Sequence, residues 1–217
     1  MSRFIGFLII VGGFVGVYFL YEDYAAKRKS AHNRWVDDIK PLIAEHFPNP
    51  ALDGSEDGWF ASESSFFRIL GLMKEAETHK YNAFDTVKAA CTSAGAAPGV
   101  GRMMADELEE NYKIAKELGV FDDLANRLRL ERGEAPMCKA KGWDGEPLKV
   151  GYILPHTLAP EASRSLVNMV LMPKGMRDMQ TDEPVSFTIS MAKKWLSERV
   201  INPQSHRLIM DYLAKRP

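Results

Sequence analysis

Two short apolar runs decide the fold of this chain: Leu148-Lys-Val-Gly-Tyr-Ile-Leu154 and Leu166-Val-Asn-Met-Val-Leu-Met172. Both runs are rich in β-branched, aromatic and aliphatic residues and stand next to Gly or Pro, which is typical of short β-strands. Residues 155–165 separate them and contain turn formers. We therefore predict two strands, over 148–154 and 166–172, joined by a loop.

Helical patterns surround these two runs. The apolar spacing predicts helices over the ranges 64–81, 83–93, 102–118, 122–132, 184–200 and 204–215, and a helical segment over 24–47. Gly119 and Gly133 stand where two of these helices are expected to stop. The predicted fold class is therefore α+β and mostly α-helical.

The composition limits what the chain can be. Its 217 residues carry 28 Lys and Arg against 29 Asp and Glu, for a net charge of -1. This balance argues against a strongly basic nucleic-acid binder, although a local basic face is compatible with it. The two cysteines, Cys91 and Cys138, are too few for a disulfide scaffold or a four-cysteine zinc site. The sequence leaves open whether they pair.

The beginning of the chain has an uncharged apolar run, residues 4–21. A helix of this length covers roughly 27 Å, so the run predicts a single transmembrane helix with the lipid bilayer as its partner. A cleaved signal peptide is the competing interpretation, but the run ends in bulky residues. Cations at 27–29 and Arg34 place the body on the cytoplasmic side. Gly12 and Gly16 form a small-xxx-small pair that would allow helix dimerisation, although glycine is also common in membrane helices.

These patterns divide the chain into four parts. We predict a transmembrane helix over 1–22, a juxtamembrane stalk and hinge over 23–58, and a helical region over 59–121. The remainder, 122–217, is predicted to be a small module of two strands and a helix, followed by C-terminal helices. The hinge is placed at 48–58 because turn-forming and acidic residues dominate there.

A family resemblance covers roughly residues 122–182. It rests on four segments in order: Arg132-Gly-Glu-Ala-Pro136, the run 145–155, Leu158-Ala-Pro-Glu161 and Asn168-Met-Val-Leu-Met-Pro173. Together they resemble the HNH endonuclease family. The resemblance implies a ββα fold of two antiparallel strands and a helix that grip one divalent cation, such as Mg²⁺, beside a histidine that activates water.

The same comparison shows where this chain departs from the family. Gly151 and Tyr152 stand at the family's Asp-His pair, Arg177 stands at its later metal-ligating Asn or His, and Gln180 stands at a lysine. Asn168 matches the asparagine that orders the loop. A glycine has no ligand atom and an arginine is itself a cation, so we predict a degenerate copy without a metal or catalyst, that is, a pseudoenzyme. Whether any enzymatic activity survives is left open.

Three functions follow from this prediction. The leading one is a membrane-anchored module that binds nucleic acid or a protein partner, with Arg177 offering a fork of donors to phosphate. The other candidate phosphate contacts are Arg127, Arg129, Lys139 and Lys141. The second is a divergent metal-dependent endonuclease that uses His156 with nearby acids and a cation such as Mg²⁺. The third is a purely structural, membrane-tethered interaction protein.

Overall fold

The computed structural model describes residues 21–22, 24–27, 29, 32–47, 59–180, 183–184 and 187–215. Within them the chain is mostly helical and contains one two-stranded sheet. In chain order the elements are α1 (32–44), α2 (Trp59–Thr78), α3 (Ala83–Ser93), α4 (Pro98–Glu117), α5 (Leu124–Glu131), β1 (Leu148–Tyr152), β2 (Met169–Pro173), α6 (Lys174–Asp178), α7 (Ile189–Ser197) and α8 (Pro203–Ala214).

The helices begin and end at residues suited to those positions. Asn82, Asp123 and Asn202 precede α3, α5 and α8, and each side chain accepts a hydrogen bond from a backbone N–H in the first turn. Gly119 and Gly133 follow α4 and α5 with φ of 68° and 71°. This left-handed conformation strains other residues, which confirms both glycines as helix stops.

One hydrophobic core runs through the described fold. The helices α2 and α4 contribute fully buried side chains such as Phe66, Leu70 and Leu108. Helix α1, which lies in the predicted stalk, places Ile39 and Ile43 in the same core, and both side chains are fully buried. The apolar face of α1 is therefore packed against the rest of the described fold.

The two predicted strands are present and pair with each other. They run antiparallel, with Leu148 opposite Pro173 and Tyr152 opposite Met169. The pairing is shorter than the two apolar runs, because residues 166–168 form a 3-10 turn and the side chain of Asn168 binds the backbone of Leu154. Helix α6 follows β2 directly, so the order of elements is strand, strand, helix.

The outer edge of β2 is held by a side chain from α4. Asn111, which is fully buried, accepts a hydrogen bond from the N–H of Leu171 at 2.6 Å and donates one to the carbonyl of Met169 at 2.9 Å. An unpaired backbone polar group at a buried strand edge is costly. The Asn111 amide makes the hydrogen bonds to β2 that a third strand would otherwise make. Asn111 thereby ties the sheet to the helical body.

The transmembrane part of the predicted fold class needs correction. No helix in the described part of the chain is long and apolar enough to cross a membrane. Helices α2 and α4 are long, but charged side chains line the face that meets water. The predicted span 4–21 lies outside the described residues except for Tyr21, and Gly12 and Gly16 lie outside them as well. The expectations about bilayer and orientation stay predictions.

Glu107 lies one turn before Asn111 on α4 and titrates in an unusual range. Burial, together with the charges of Glu110 and Asp106, raises the pKa of Glu107 from 4.5 to about 7. Between pH 4.5 and 7, Glu107 therefore keeps a proton in the folded protein that it has released in the unfolded chain. This contribution to stability is present in full below pH 4.5 and is lost as the pH rises through about 7.

Replacing Glu107 with glutamine is therefore expected to stabilise the protein at high pH. At pH 8 the free energy of unfolding should rise by about 1–2 kcal/mol, while at pH 4.5 the gain should vanish. Urea unfolding at both pH values measures this. The control is Glu117→Gln, an exposed residue on the same helix, which should change neither value by more than about 0.5 kcal/mol. An equal effect at both pH values would contradict the titration argument.

Candidate functional site

The residues that depart from the HNH pattern meet on the outer edge of β1. Arg177, on α6, reaches back to this strand: its Nε donates to the carbonyl of Val150 at 3.2 Å, and its Nη2 donates to the hydroxyl of Tyr152. The guanidinium also lies over the aromatic ring of Tyr152, 4.5 Å from the ring centre. A guanidinium over an aromatic face is a favourable cation–π contact. Arg177 therefore links α6 to β1 through three interactions.

Gln180 completes the cover of this strand edge. Its Oε1 accepts a hydrogen bond from the N–H of Tyr152 at 3.4 Å, and its Nε2 donates to the carbonyl of the same residue. The absence of a side chain at Gly151 makes room for it, since a Cβ there would lie 2.6 Å from the Gln180 Oε1 and 2.6 Å from the Met172 methyl. Glu63 of α2 accepts the remaining bond, from the N–H of Val150 at 3.2 Å.

Asn168 holds the loop that follows β1. It is fully buried, its Oδ1 accepts from the N–H of Leu154 at 2.7 Å, and its Nδ2 donates to the carbonyl of Leu154 at 3.0 Å. These two bonds tie the backbone of Leu154, just past the end of β1, to the residue that precedes β2. Asn168 therefore fixes the shape of the loop and does not present its amide to a ligand.

The candidate base and two of the candidate acids each have a hydrogen-bond or ion-pair partner within the protein. His156 is partly exposed, and its Nδ1 lies 3.1 Å from the hydroxyl of Ser163. Glu146 accepts a hydrogen bond from the N–H of Gly175 at 2.9 Å, and Asp178 forms an ion pair with Lys174. These three side chains thus contact different groups and do not meet at one point in the described part of the chain.

The donor set does not fit a divalent cation. Among the described residues there is no group of three or more His, Cys, Asp or Glu side chains that could hold a metal ion. Arg177 stands where the resemblance implies a metal ligand, and its guanidinium, which is held against β1, carries a charge that repels a cation. No chemical step through a metal is therefore assigned to this chain.

The two predicted phosphate contacts on α5 are engaged with the backbone. Arg127 is exposed and its Nε donates to the carbonyl of Phe121 at 3.3 Å, whereas Arg129 donates to the carbonyl of Ala135 at 3.5 Å. Arg127 also lines a cavity of about 580 Å³ between α1, α2 and α5, with side chains of both charges around it. This cavity could not be predicted from the sequence, because its lining comes from three distant segments.

The two predicted lysines lie beyond α5. Lys139 is exposed and forms an ion pair with Asp123, the N-cap of α5, at 3.4 Å. Lys141 is exposed in the turn that follows. The four predicted cations other than Arg177 thus lie in different surroundings. Their role as one phosphate-binding face stays a prediction.

Comparisons with known proteins add no relative. No family model matches the chain, and neither a curated protein nor a solved structure is detectably similar to it. The resemblance to HNH endonucleases therefore rests on the four segments in the sequence. Tyr152, Arg177 and Gln180 define the candidate site through their mutual contacts.

Proposed function

We propose that the C-terminal part of the chain is an HNH-like ββα module that binds the phosphates of a nucleic acid without cutting them. The observation that carries this proposal is the position of Arg177, whose guanidinium is fixed over Tyr152 by bonds along one side. A guanidinium has five N–H donors in a planar fork. Two of them point to β1, which leaves three on Nη1 and Nη2 for a bidentate contact with phosphate.

The surroundings of Arg177 support binding over catalysis. A hydrolytic site needs a base within hydrogen-bond reach of the attacking water. Here the hydroxyl of Tyr152 accepts a bond from Arg177, and His156 is next to Ser163. With a cation already fixed and no set of metal ligands among the described residues, contact with a phosphate is the chemistry that this arrangement supports.

A protein partner is the second candidate, and one observation favours it. Met176 and Met179 flank Arg177 and expose 45% and 71% of their surface. Methionine, tyrosine and arginine are enriched in the centres of protein interfaces. A partner with an acidic group beside an apolar side chain would use the same surface.

Replacing Arg177 with alanine is expected to weaken nucleic-acid binding and to change its salt dependence. Removing one phosphate contact should reduce the slope of log K against log salt concentration by about 1. Fluorescence anisotropy with labelled single- and double-stranded DNA over a salt series measures both. The matched control is Arg132→Ala, which removes an exposed arginine at the end of α5 whose Nε also donates to a backbone carbonyl.

The outcomes separate the candidate functions. An equal loss in Arg177→Ala and Arg132→Ala would contradict a specific contact at Arg177. No binding at low salt would remove nucleic acid and leave the protein partner. Incubation of plasmid DNA with Mg²⁺, Mn²⁺, Zn²⁺ or EDTA is expected to give no cleavage, and metal-dependent cleavage that is lost in His156→Ala would favour the endonuclease.

A further inference from the structure

We infer that the guanidinium of Arg177 holds α6 against β1 in this chain, as a bound metal ion would, and that the ββα module folds without a divalent cation. The comparison with a metal site rests on the HNH resemblance in the proposed function, whereas the contacts of Arg177 do not. The inference is independent of whether nucleic acid binds. It concerns what holds α6 against β1.

Helix α6 depends on its contacts with other segments. It has five residues, none of which is buried, and isolated helices of this length are unstable. Three side chains hold it and the two residues that follow: Arg177 binds the carbonyl of Val150, Glu146 accepts the N–H of Gly175, and Gln180 binds the backbone of Tyr152. Of these three side chains only Arg177 carries a positive charge, and its guanidinium lies between α6 and β1.

The four positions that differ from the family pattern fit one another. Gly151 has no side chain, and this leaves space for the carboxamide of Gln180. Tyr152 offers its ring and hydroxyl to Arg177, and its backbone to Gln180. Each replacement therefore supports another, so that protein groups fill the region between β1 and α6. A divalent cation would have to displace a guanidinium of like charge and would find no carboxylate at 151 to bind.

Thermal unfolding of the full chain tests this inference. The wild-type protein is expected to have the same Tm in EDTA as in Mg²⁺, Mn²⁺ or Zn²⁺. Arg177→Ala should lower the Tm by roughly 4–8 °C in every condition, because it removes two hydrogen bonds and the cation–π contact. Arg177→Lys keeps the charge but loses the fork, so it should recover only part of this loss.

A second experiment restores metal-binding residues at two of the positions that differ from the family pattern. Gly151→Asp combined with Arg177→His supplies a carboxylate on β1 and an imidazole on α6. This double variant should unfold at lower temperature than wild type in EDTA and should gain Tm on addition of Zn²⁺ or Mn²⁺, which the matched single variant Gly151→Asp should not. If the double variant does not fold, the wild-type protein and the Arg177 variants still decide the question.

Two results would overturn the inference. One is a rise in wild-type Tm of several degrees with any of the three metals. The other is an Arg177→Ala protein as stable as wild type. Neither result depends on the DNA-binding assay, so a failure of phosphate binding and a failure of this inference are distinguishable.

Discussion

Replacing Asn111 with alanine is expected to lower the free energy of unfolding by about 3–5 kcal/mol, because it strands two buried backbone groups. The two groups are the N–H of Leu171 and the carbonyl of Met169, which lie 2.6 Å and 2.9 Å from the Asn111 amide atoms. Equilibrium unfolding in urea, followed by circular dichroism, measures the loss.

The size of this effect follows from the position of Asn111. Its side chain is fully buried, and so are Met169 and Leu171, within a few per cent. A water molecule would restore these bonds only if it entered the core and bound the N–H of Leu171 and the carbonyl of Met169 together. Each unpaired group then costs about 1–3 kcal/mol, and the truncated side chain adds a small cavity.

Two further variants make the prediction specific. Asn33→Ala changes an exposed asparagine on α1 and should cost under about 1 kcal/mol. Asn111→Asp keeps an acceptor for the N–H of Leu171 but loses the donor to Met169 and buries a charge, so it should be at least as harmful as alanine. A loss below about 1 kcal/mol in Asn111→Ala would show that the sheet is held by other means.

Local patterns were enough to predict the strands and most of the helices. The runs 148–154 and 166–172 are short, rich in β-residues and bounded by turn formers, and the stops at Gly119 and Gly133 follow from backbone conformation alone. Such features are encoded within a few neighbouring residues. The predicted transmembrane helix also came from a local pattern, but no helix in the described part of the chain has that character.

The clamps on the sheet could not be predicted in the same way. Asn111 and Met169 are 58 residues apart, and Glu63 and Val150 are 87 apart. A bond between a side chain and a distant backbone group leaves no period in the sequence, since any polar residue on a helix looks solvated until the helix is placed. The role of Gln180 is not predictable from the sequence for this reason, although its position is a departure from the family pattern.

The candidate site was partly predictable because a family pattern groups its residues, although Tyr152 and Arg177 are 25 residues apart. Arg177 and Tyr152 were selected by comparison with a family order, and the structure places them in contact. What the sequence did not indicate is the direction of the guanidinium, which turns one side toward β1. That direction decides which donors are left for a ligand.

Between pH 6.5 and 4, His46 is expected to make stability fall as the pH falls. Its side chain is fully buried and its Nδ1 lies 3.0 Å from the carbonyl of Arg164. Burial lowers the pKa of His46 from 6.5 to about 4, against smaller effects of the Arg164 carbonyl and of Glu45 that raise it. The unfolded chain therefore binds a proton before the folded protein does, and the loss between these values amounts to about 3 kcal/mol.

Other groups with shifted pKa values act in different ranges or in the opposite sense. Burial tends to raise the pKa of Glu77, but hydrogen bonds from Lys116, Tyr112 and Lys74 outweigh it and hold this pKa at about 2. The stabilisation by Glu77 is thus lost between pH 4.5 and 2, below most of the range of His46. Glu107, with its pKa of about 7, makes stability rise as the pH falls from 7 to 4.5.

His46 and Glu107 therefore oppose each other between pH 6.5 and 4.5, and their single variants should show opposite slopes. His46→Gln removes the term that weakens the fold in acid, so its free energy of unfolding should rise as the pH falls through this range. Glu107→Gln removes the other term, so its free energy of unfolding should fall. Urea unfolding at half-unit pH intervals measures both slopes, whatever offset each substitution adds at neutral pH. If both variants kept the slope of the wild-type protein, neither group would titrate as its burial requires.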